Sequence, residues 1–248
     1  MANVPIPRVI SKLDEYLHKN DYDGALRHLL YWKDESVLSG DERSELTLTA
    51  ELMGLYRKTG KREQAISAAE RAVELVEKTG LSDSVTAGTI FIDAATVFNA
   101  FSDQERSLFY FEKAKTLYEK FLPESDGRLP ALYNNFSLNL AALCRYEEAQ
   151  EFFKKALSLC GKQKKGADMA ITYLNLANLY EKRDGFENAI DEISDCLSSA
   201  RELLESETSR DGYYAFVCEK CAGTFGHYGM KDYAETLLSR AKEIYERA

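Results

Sequence analysis

The side chains with the greatest chemical reactivity in this 248-residue chain are five cysteines and three histidines. Cys218 and Cys221 form a CxxC pair, which could supply two thiolates to a zinc ion. A structural zinc site needs two further ligands at matching spacing, and the sequence offers neither a second CxxC nor a suitable histidine pair. We therefore expect these cysteines to be small apolar residues on a buried helix face, and we expect no bound metal.

Other reactive groups also lack the spacing that catalysis requires. His18, His28 and His227 lie far apart; we expect His28 to be solvated, while His18 and His227 could face a binding groove. Gly161 and Gly166 have nearly the spacing of a phosphate-binding loop, but no Lys-Ser/Thr pair follows, so a solvated loop is expected. We find no nucleophile elbow, zinc-protease motif or dinucleotide fingerprint. The sequence predicts neither an enzyme nor a cofactor.

Amides and carboxylates, by contrast, recur at a regular position. Asp93, Asn135 and Asn175 are separated by 42 and 40 residues. An amide both donates and accepts hydrogen bonds, so a row of amides can bind the backbone of an extended peptide. The alternative is that these are ordinary hydrated asparagines. Because Asn costs up to roughly 0.7 kcal/mol relative to Ala in a helix, their clustering on one face favours a binding role.

The elements that carry these residues follow from a repeated pattern of small and apolar side chains. A trio at i, i+4 and i+7, which is one face of a helix, recurs every 40 to 45 residues. The trios are Ala25, Leu29 and Trp32; Ala65, Ala69 and Ala72; Ser107, Phe111 and Ala114; Ala149, Phe153 and Ala156; Ala189, Ile193 and Cys196; and Ala234, Leu238 and Ala241. Nine residues before each trio stands a large apolar residue, itself preceded three residues earlier by a mostly small one. These large residues are Tyr16, Tyr56, Phe98, Leu140, Tyr180 and Phe225.

Each repeat therefore reads as two antiparallel helices joined by a short polar turn. Such hairpins bury their apolar faces only against neighbouring hairpins. The pattern predicts an all-α protein, a right-handed α-solenoid that forms a single domain over residues 1–248. The approximate repeats are 6–43, 44–82, 83–125, 126–166, 167–208 and 209–248.

The segments RYEEAQEFFKKAL and TYLNLANLYEKRDGFENAIDEISDCL resemble the tetratricopeptide repeat. The spacing of 40 to 45 residues exceeds that family's period of about 34 and is similar to its long-repeat branch, which includes kinesin light chains and bacterial peptide-sensing regulators. The resemblance implies that the first helix of each repeat lines a concave surface on which Asn side chains clamp peptide backbones. The predicted groove residues are Glu51, Arg57, Asp93, Thr96, Asn99, Asn134, Asn135, Leu138, Leu174, Asn175, Asn178 and Glu219, with Asp14, His18, Glu181, Lys220 and His227 beside them.

Composition narrows the choice of partner. The net charge of −9 and pI near 5.1 argue against nucleic acid or an anionic membrane. No run approaches the roughly 18 apolar residues of a membrane span, and the first ten residues lack signal-peptide features, so a cytoplasmic location is the expectation.

The sequence predicts a protein-interaction scaffold that binds an extended or helical peptide of a partner protein. Two alternatives stay open. One is a regulator that senses a signalling peptide. The other is a homo-oligomer, such as a homodimer, that pairs through its end repeats, since the chain ends on AKEIYERA without an added polar helix.

Overall fold

The computed structural model describes residues 4–247, which form twelve α-helices and no strand. The predicted all-α class is confirmed. The helices are α1 (Ile6–His18), α2 (Tyr22–Ser39), α3 (Glu42–Lys58), α4 (Arg62–Lys78), α5 (Val85–Ala100), α6 (Gln104–Phe121), α7 (Arg128–Ala142), α8 (Tyr146–Gln163), α9 (Gly166–Asp184), α10 (Ile190–Ser206), α11 (Gly212–His227) and α12 (Lys231–Arg247).

Consecutive helices pack as hairpins, α1 with α2 through α11 with α12, so each predicted repeat contains one hairpin. The hairpins group into two compact units of three, divided between Leu122 and Pro123. In the N-terminal unit the first helices α3 and α5 touch, and in the C-terminal unit α9 touches both α7 and α11. The expected single domain over residues 1–248 stays a prediction.

Most of the predicted small and large residues are buried in the hairpins. Ala65, Ala149 and Ala189 are fully buried, and Phe98 and Phe225 are at most 1% exposed. Small residues at the buried positions of the second helix let the two backbones approach closely. The buried residues of the core therefore recur at the positions that the repeat pattern predicts.

Ser107 occupies the same small-residue position and is also fully buried. Its hydroxyl donates a hydrogen bond of 2.9 Å to the carbonyl oxygen of Ala95 across the hairpin. This bond satisfies a polar group that would otherwise be costly to bury. Serine therefore replaces alanine there without loss of the close approach.

Several of the turns between helices are short and end at an acidic residue whose side chain caps the next helix. The carboxylates of Asp21, Asp41 and Asp103 accept hydrogen bonds from backbone N–H groups in the first turns of α2, α3 and α6. These are N-caps, which satisfy donors that lack a partner within the helix. Gly40 ends α2 with φ of 69°, a left-handed conformation that glycine adopts without strain.

One apolar position was predicted wrongly in the last repeat. Leu238 is 50% exposed, whereas its neighbour Leu237 is fully buried against the hairpin partner. In repeats one, two and four the second helix also contacts the first helix of the following hairpin. Within the described chain no hairpin follows α12, so nothing covers the face on which Leu238 lies.

Two local expectations also need correction. His28 is half-buried, with Nε2 3.0 Å from the carbonyl oxygen of Val9, and it packs on Tyr16. It therefore bridges α1 and α2 and is not simply solvated. Gly161 and Gly166 lie within α8 and α9, so the connection between those helices is only Lys164 and Lys165.

The adjacent leucines of α12 test this packing with matched substitutions. Leu237→Ala should lower the free energy of unfolding by about 2–4 kcal/mol, because it opens a cavity. Leu238→Ala should change it by less than about 1 kcal/mol. Urea unfolding followed by circular dichroism measures both, and a larger loss for Leu238→Ala would contradict the observed packing.

Candidate functional site

One position of the first helices carries a polar residue in five successive repeats. Glu51 and Asp93 occupy it in the N-terminal unit, and Asn135, Asn175 and Lys220 occupy it in the C-terminal unit. None of the five is buried. The repeat that packs the core thus also places these side chains outside it.

In the C-terminal unit three of these residues, Asn135, Asn175 and Lys220, line a cleft of about 430 Å³ on α7, α9 and α11. Asn134, Asn135 and Asn175 lie together in it, and Asn175 Nδ2 donates a hydrogen bond of 3.0 Å to Asn134 Oδ1. After this bond each amide still has capacity for a further partner. Leu138, which is 37% exposed, adds an apolar contact surface beside them.

The α11 side of this cleft is aromatic and cationic. Phe216 and Lys220 line it, with Lys220 Nζ 5.5 Å from the centre of the Phe216 ring. Tyr213 stacks on Phe216 at 6.2 Å and donates a hydrogen bond from its hydroxyl to Asp168 on α9. Neither Phe216 nor Tyr213 is among the groove residues predicted from the sequence. An aromatic at the Phe216 position, where other repeats carry Thr89, Ala131 or Ile171, is the signal that would have found it.

In the N-terminal unit, α3 and α5 border a second cleft, of about 470 Å³. Glu51 and Asp93 line it against apolar walls that include Leu46 and Ile90. Burial, and then the nearby Glu51 carboxylate, raise the pKa of Asp93 to about 6, while Arg57 acts in the opposite direction. Burial raises the pKa of Glu51 as well, with a further contribution from Asp14. A carboxylate whose ionisation is disfavoured by burial and by a neighbouring carboxylate suits a cationic group as occupant.

The chain itself engages several of the other predicted groove residues. Asn178 Oδ1 accepts a hydrogen bond of 3.1 Å from the Tyr228 hydroxyl, and Glu219 accepts one of 3.2 Å from the Tyr245 hydroxyl. Thr96 donates its hydroxyl to the carbonyl oxygen of Asp93 at 2.8 Å. The bonds of Asn178 and Glu219 link neighbouring helices, and that of Thr96 lies within its own helix.

The last turn of α9 is tied to α11 in the same way. Glu181 lies 2.9 Å from His227 Nε2 and accepts a hydrogen bond of 2.9 Å from the Tyr228 hydroxyl. Elsewhere, Arg57, His18 and Asp14 are exposed, and Asn99 is half-buried. The structure thus gathers Asn134, Asn135, Asn175 and Leu138 into one cleft, and Glu51 and Asp93 into another.

Leu174 does not belong to the groove. It is 2% exposed, although it precedes Asn175 and occupies the position of Asn134 in the previous repeat. Because α9 contacts the first helices on both sides, an apolar side chain at the edge of its outer face packs between them. The sequence prediction for Leu174 was wrong.

The CxxC pair lies on the buried face of α11, as the sequence predicted. Cys218 and Cys221 are free thiols, at most 1% exposed. Burial raises the pKa of Cys221 to about 12 and that of Cys218 in the same direction, so both are protonated at neutral pH. Between residues 4 and 247 no three His, Cys, Asp or Glu side chains cluster as metal ligands. Over the same residues, each helix is too short or too polar to span a lipid bilayer.

Two family models match parts of the chain. The tetratricopeptide-repeat model matches residues 128–202, and the model for anaphase-promoting complex subunit 5 matches residues 10–87. The chain is also similar to Protein KINESIN LIGHT CHAIN-RELATED 1 of Arabidopsis thaliana, with 20% identity over 185 residues. That match covers 71% of this chain and 30% of the relative, so the chain spans less than a third of the relative's length.

Solved structures share the fold at low sequence identity. A putative kinesin light chain repeat structure from Podosopora anserina matches with a TM-score of 0.57 at 16% identity, covering 82% of this chain and 96% of that one. The Rap conjugation gene regulator of plasmid pLS20, in complex with the Phr* peptide, matches with a TM-score of 0.63 at 13% identity. That match covers 99% of this chain and 76% of that one.

Because the pKa of Asp93 is raised, removal of its charge should stabilise the protein at neutral pH. The folded-state pKa lies above the unfolded value of 3.8. Protonation of Asp93 therefore contributes stability that is fully present below pH 4 and is lost as pH rises through 6. Asp93→Asn should therefore stabilise the protein by about 1 kcal/mol at pH 7.5, the full linkage of about 3 kcal/mol being reduced by partial exposure to water.

Thermal unfolding at pH 4.0 and 7.5 measures this difference, with the exposed Asp195→Asn as the control. At pH 4.0 the gain from Asp93→Asn should disappear. An equal gain at both pH values would show that burial and charge repulsion at Asp93 are not its source.

Proposed function

We propose that this tetratricopeptide-repeat protein is a non-enzymatic scaffold that binds a peptide segment of a partner protein on its first helices. The observation that carries the proposal is the C-terminal cleft. There, amides from two successive first helices stand together, next to an exposed leucine and an aromatic side chain. Amides suit a peptide backbone, and the apolar groups suit one or two of its side chains.

The amide pair supports an ordered ligand rather than a loosely held one. The Asn175–Asn134 hydrogen bond fixes the orientation of both side chains before a partner arrives. A binding group that is already oriented loses less conformational entropy on association. Both amides can then complete their hydrogen bonding with backbone N–H and C=O groups of the ligand.

The N-terminal cleft supports a second contact of different chemistry. Glu51 and Asp93 line it, and neither forms an ion pair of 4.0 Å or less among the residues described. A Lys or Arg of the ligand would relieve the repulsion between the two carboxylates. We propose that the cleft recognises a basic residue of the partner.

A peptide-sensing regulator is the second candidate, because structures of that kind share this fold. The Rap regulator of plasmid pLS20 was solved with the Phr* peptide, and another Rap protein was solved with competence and sporulation factor. That second structure covers 95% of this chain with a TM-score of 0.57. The two candidates share the site and differ in whether the bound peptide is free or part of a larger protein.

Substitution of the amides tests the site. Asn135→Ala combined with Asn175→Ala should weaken binding of the partner at least tenfold, because each lost hydrogen bond contributes about 1 kcal/mol. The partner is first captured from native lysate with the wild-type chain and identified by mass spectrometry. Binding is then measured by titration calorimetry with the purified partner or its peptides.

The control is Asn188→Ala, which removes an exposed amide from the segment before α10, outside the first helices. It should bind the partner as tightly as the wild type. Undiminished affinity of the double variant, with its melting temperature unchanged, would contradict a role for the amides.

A further inference from the structure

A third cleft lies on the N-terminal unit, between the second helices α2 and α4, with α3 as its floor. Its volume is about 530 Å³, and it shares no lining residue with the cleft of Glu51 and Asp93. Leu30, Leu52 and Tyr56 form apolar walls. Nothing in the proposed binding by the first helices uses this cleft.

Comparison with the equivalent positions of the next two repeats explains why this cleft is open. Thr49 on α3 and Ala68 on α4 line it, and both side chains are small. In repeats three and four the equivalent positions, 42 and 84 residues later, all hold aromatic residues. The pairs are Phe91 with Tyr110, 5.8 Å between ring centroids, and Tyr133 with Phe152, 5.6 Å apart. The cleft in repeat two is thus the space that a pair of aromatic rings fills in the next two repeats.

The floor of the cleft is polar and deeply buried. Thr49 is 2% exposed, and its Oγ1 has no hydrogen-bond partner in the described part of the chain. A buried hydroxyl without a partner costs free energy, which an occupant with a hydrogen-bonding group recovers. An aromatic ring with a polar atom at its tip would match both the space and the unpartnered hydroxyl.

The charges around the cleft balance. Glu45, 5% exposed, accepts hydrogen bonds of 2.8 and 3.0 Å from Nε and Nη2 of Arg71. Lys33 and Glu63 add one charge of each sign to the lining. This balance suits an uncharged occupant, since a charged one would leave the cleft with a net charge in a partly buried setting.

We propose that this cleft binds the side chain of a tyrosine from a partner polypeptide. The ring lies against Leu30, Leu52 and Tyr56, and the phenol hydroxyl exchanges a hydrogen bond with Thr49 Oγ1. Gln64 and Ser67, which are exposed and also line the cleft, offer hydrogen bonds to the adjoining backbone. Those backbone contacts favour a polypeptide over a free phenol. The site is independent of peptide binding by the first helices.

Nuclear magnetic resonance of the ¹⁵N-labelled chain tests the proposal with three probes. These are the peptide acetyl-Ala-Ala-Tyr-Ala-Ala-amide, its phenylalanine counterpart, and p-cresol, which is the tyrosine side chain alone. The tyrosine peptide should shift the amide resonances of Thr49, Tyr56 and Ala68 saturably. It should bind at least fivefold more tightly than the phenylalanine peptide and tenfold more tightly than p-cresol.

Each probe has an outcome that would overturn part of the proposal. Absence of a saturable shift at Thr49, Tyr56 and Ala68 would overturn the site. Equal affinities of p-cresol and the tyrosine peptide would overturn the assignment to a polypeptide. Equal affinities of the two peptides would overturn the role of the phenol hydroxyl.

Two variants separate the cleft from the rest of the surface. Thr49→Phe combined with Ala68→Tyr transfers the aromatic pair of repeat three and should abolish binding of the tyrosine peptide. Thr49→Val keeps the cleft open but removes the hydroxyl, so it should reduce the preference for tyrosine over phenylalanine to less than twofold. It serves as the test even where the filled variant does not fold. Retained binding by a folded filled variant would overturn the proposal.

The variant Asn135→Ala/Asn175→Ala is the matched control, because its substitutions lie in the C-terminal unit. It should bind the tyrosine peptide like the wild type, whatever its effect on the partner of the first helices. Tyr31, Tyr213 and Tyr245 of a second copy are the competing occupants, since all three are at least 46% exposed. A dimer seen by sedimentation in the wild type and lost when Thr49 and Ala68 are filled would identify that occupant and overturn the assignment to a different polypeptide.

Discussion

The fold depends on one packing constraint inside the hairpin: a small residue on each second helix is buried, which lets the two helices approach closely. Where Ala65 and Ala149 are fully buried, the two helices approach closely enough to exclude water from the seam. Ser107 keeps the same spacing because its hydroxyl is satisfied by Ala95 across the hairpin. A larger residue at these positions would force the helices apart and disturb the contact with the neighbouring hairpin.

Because the seam fixes the orientation of both helices, the remaining positions can vary without loss of the fold. On the first helices one outward position changes from carboxylates in the N-terminal unit to amides and a lysine in the C-terminal unit. In repeat two, Thr49 on the first helix and Ala68 on the second replace an aromatic pair and leave a cleft beside the half-buried ion pair of Glu45 and Arg71. The chemistry of the surface thus differs from repeat to repeat, while the apolar frame is maintained.

The helices, their pairing and most of the core were predictable from the sequence, because periodic side-chain patterns report a repeated local geometry. The burial of positions that contact neighbouring hairpins was harder to predict from the sequence. Leu238 follows the repeat pattern yet is exposed, because no hairpin follows α12 in the described chain. Leu174 was predicted to face the groove but is buried, because α9 has a first helix on either side. The outward direction of Asn135 and Asn175 follows from the repeat, but their gathering with Phe216 and Asn134 required the packing of three helices.

Hydrogen exchange of the backbone, measured by mass spectrometry with and without the captured partner, shows which helices the partner covers. We expect the partner to slow exchange within residues 128–142 and 166–184, which are the first helices that carry the amides. Exchange in α8 and α10 should be the same as in the free chain. Slower exchange confined to α8 and α10, with α7 and α9 unchanged, would contradict binding of the partner by the first helices.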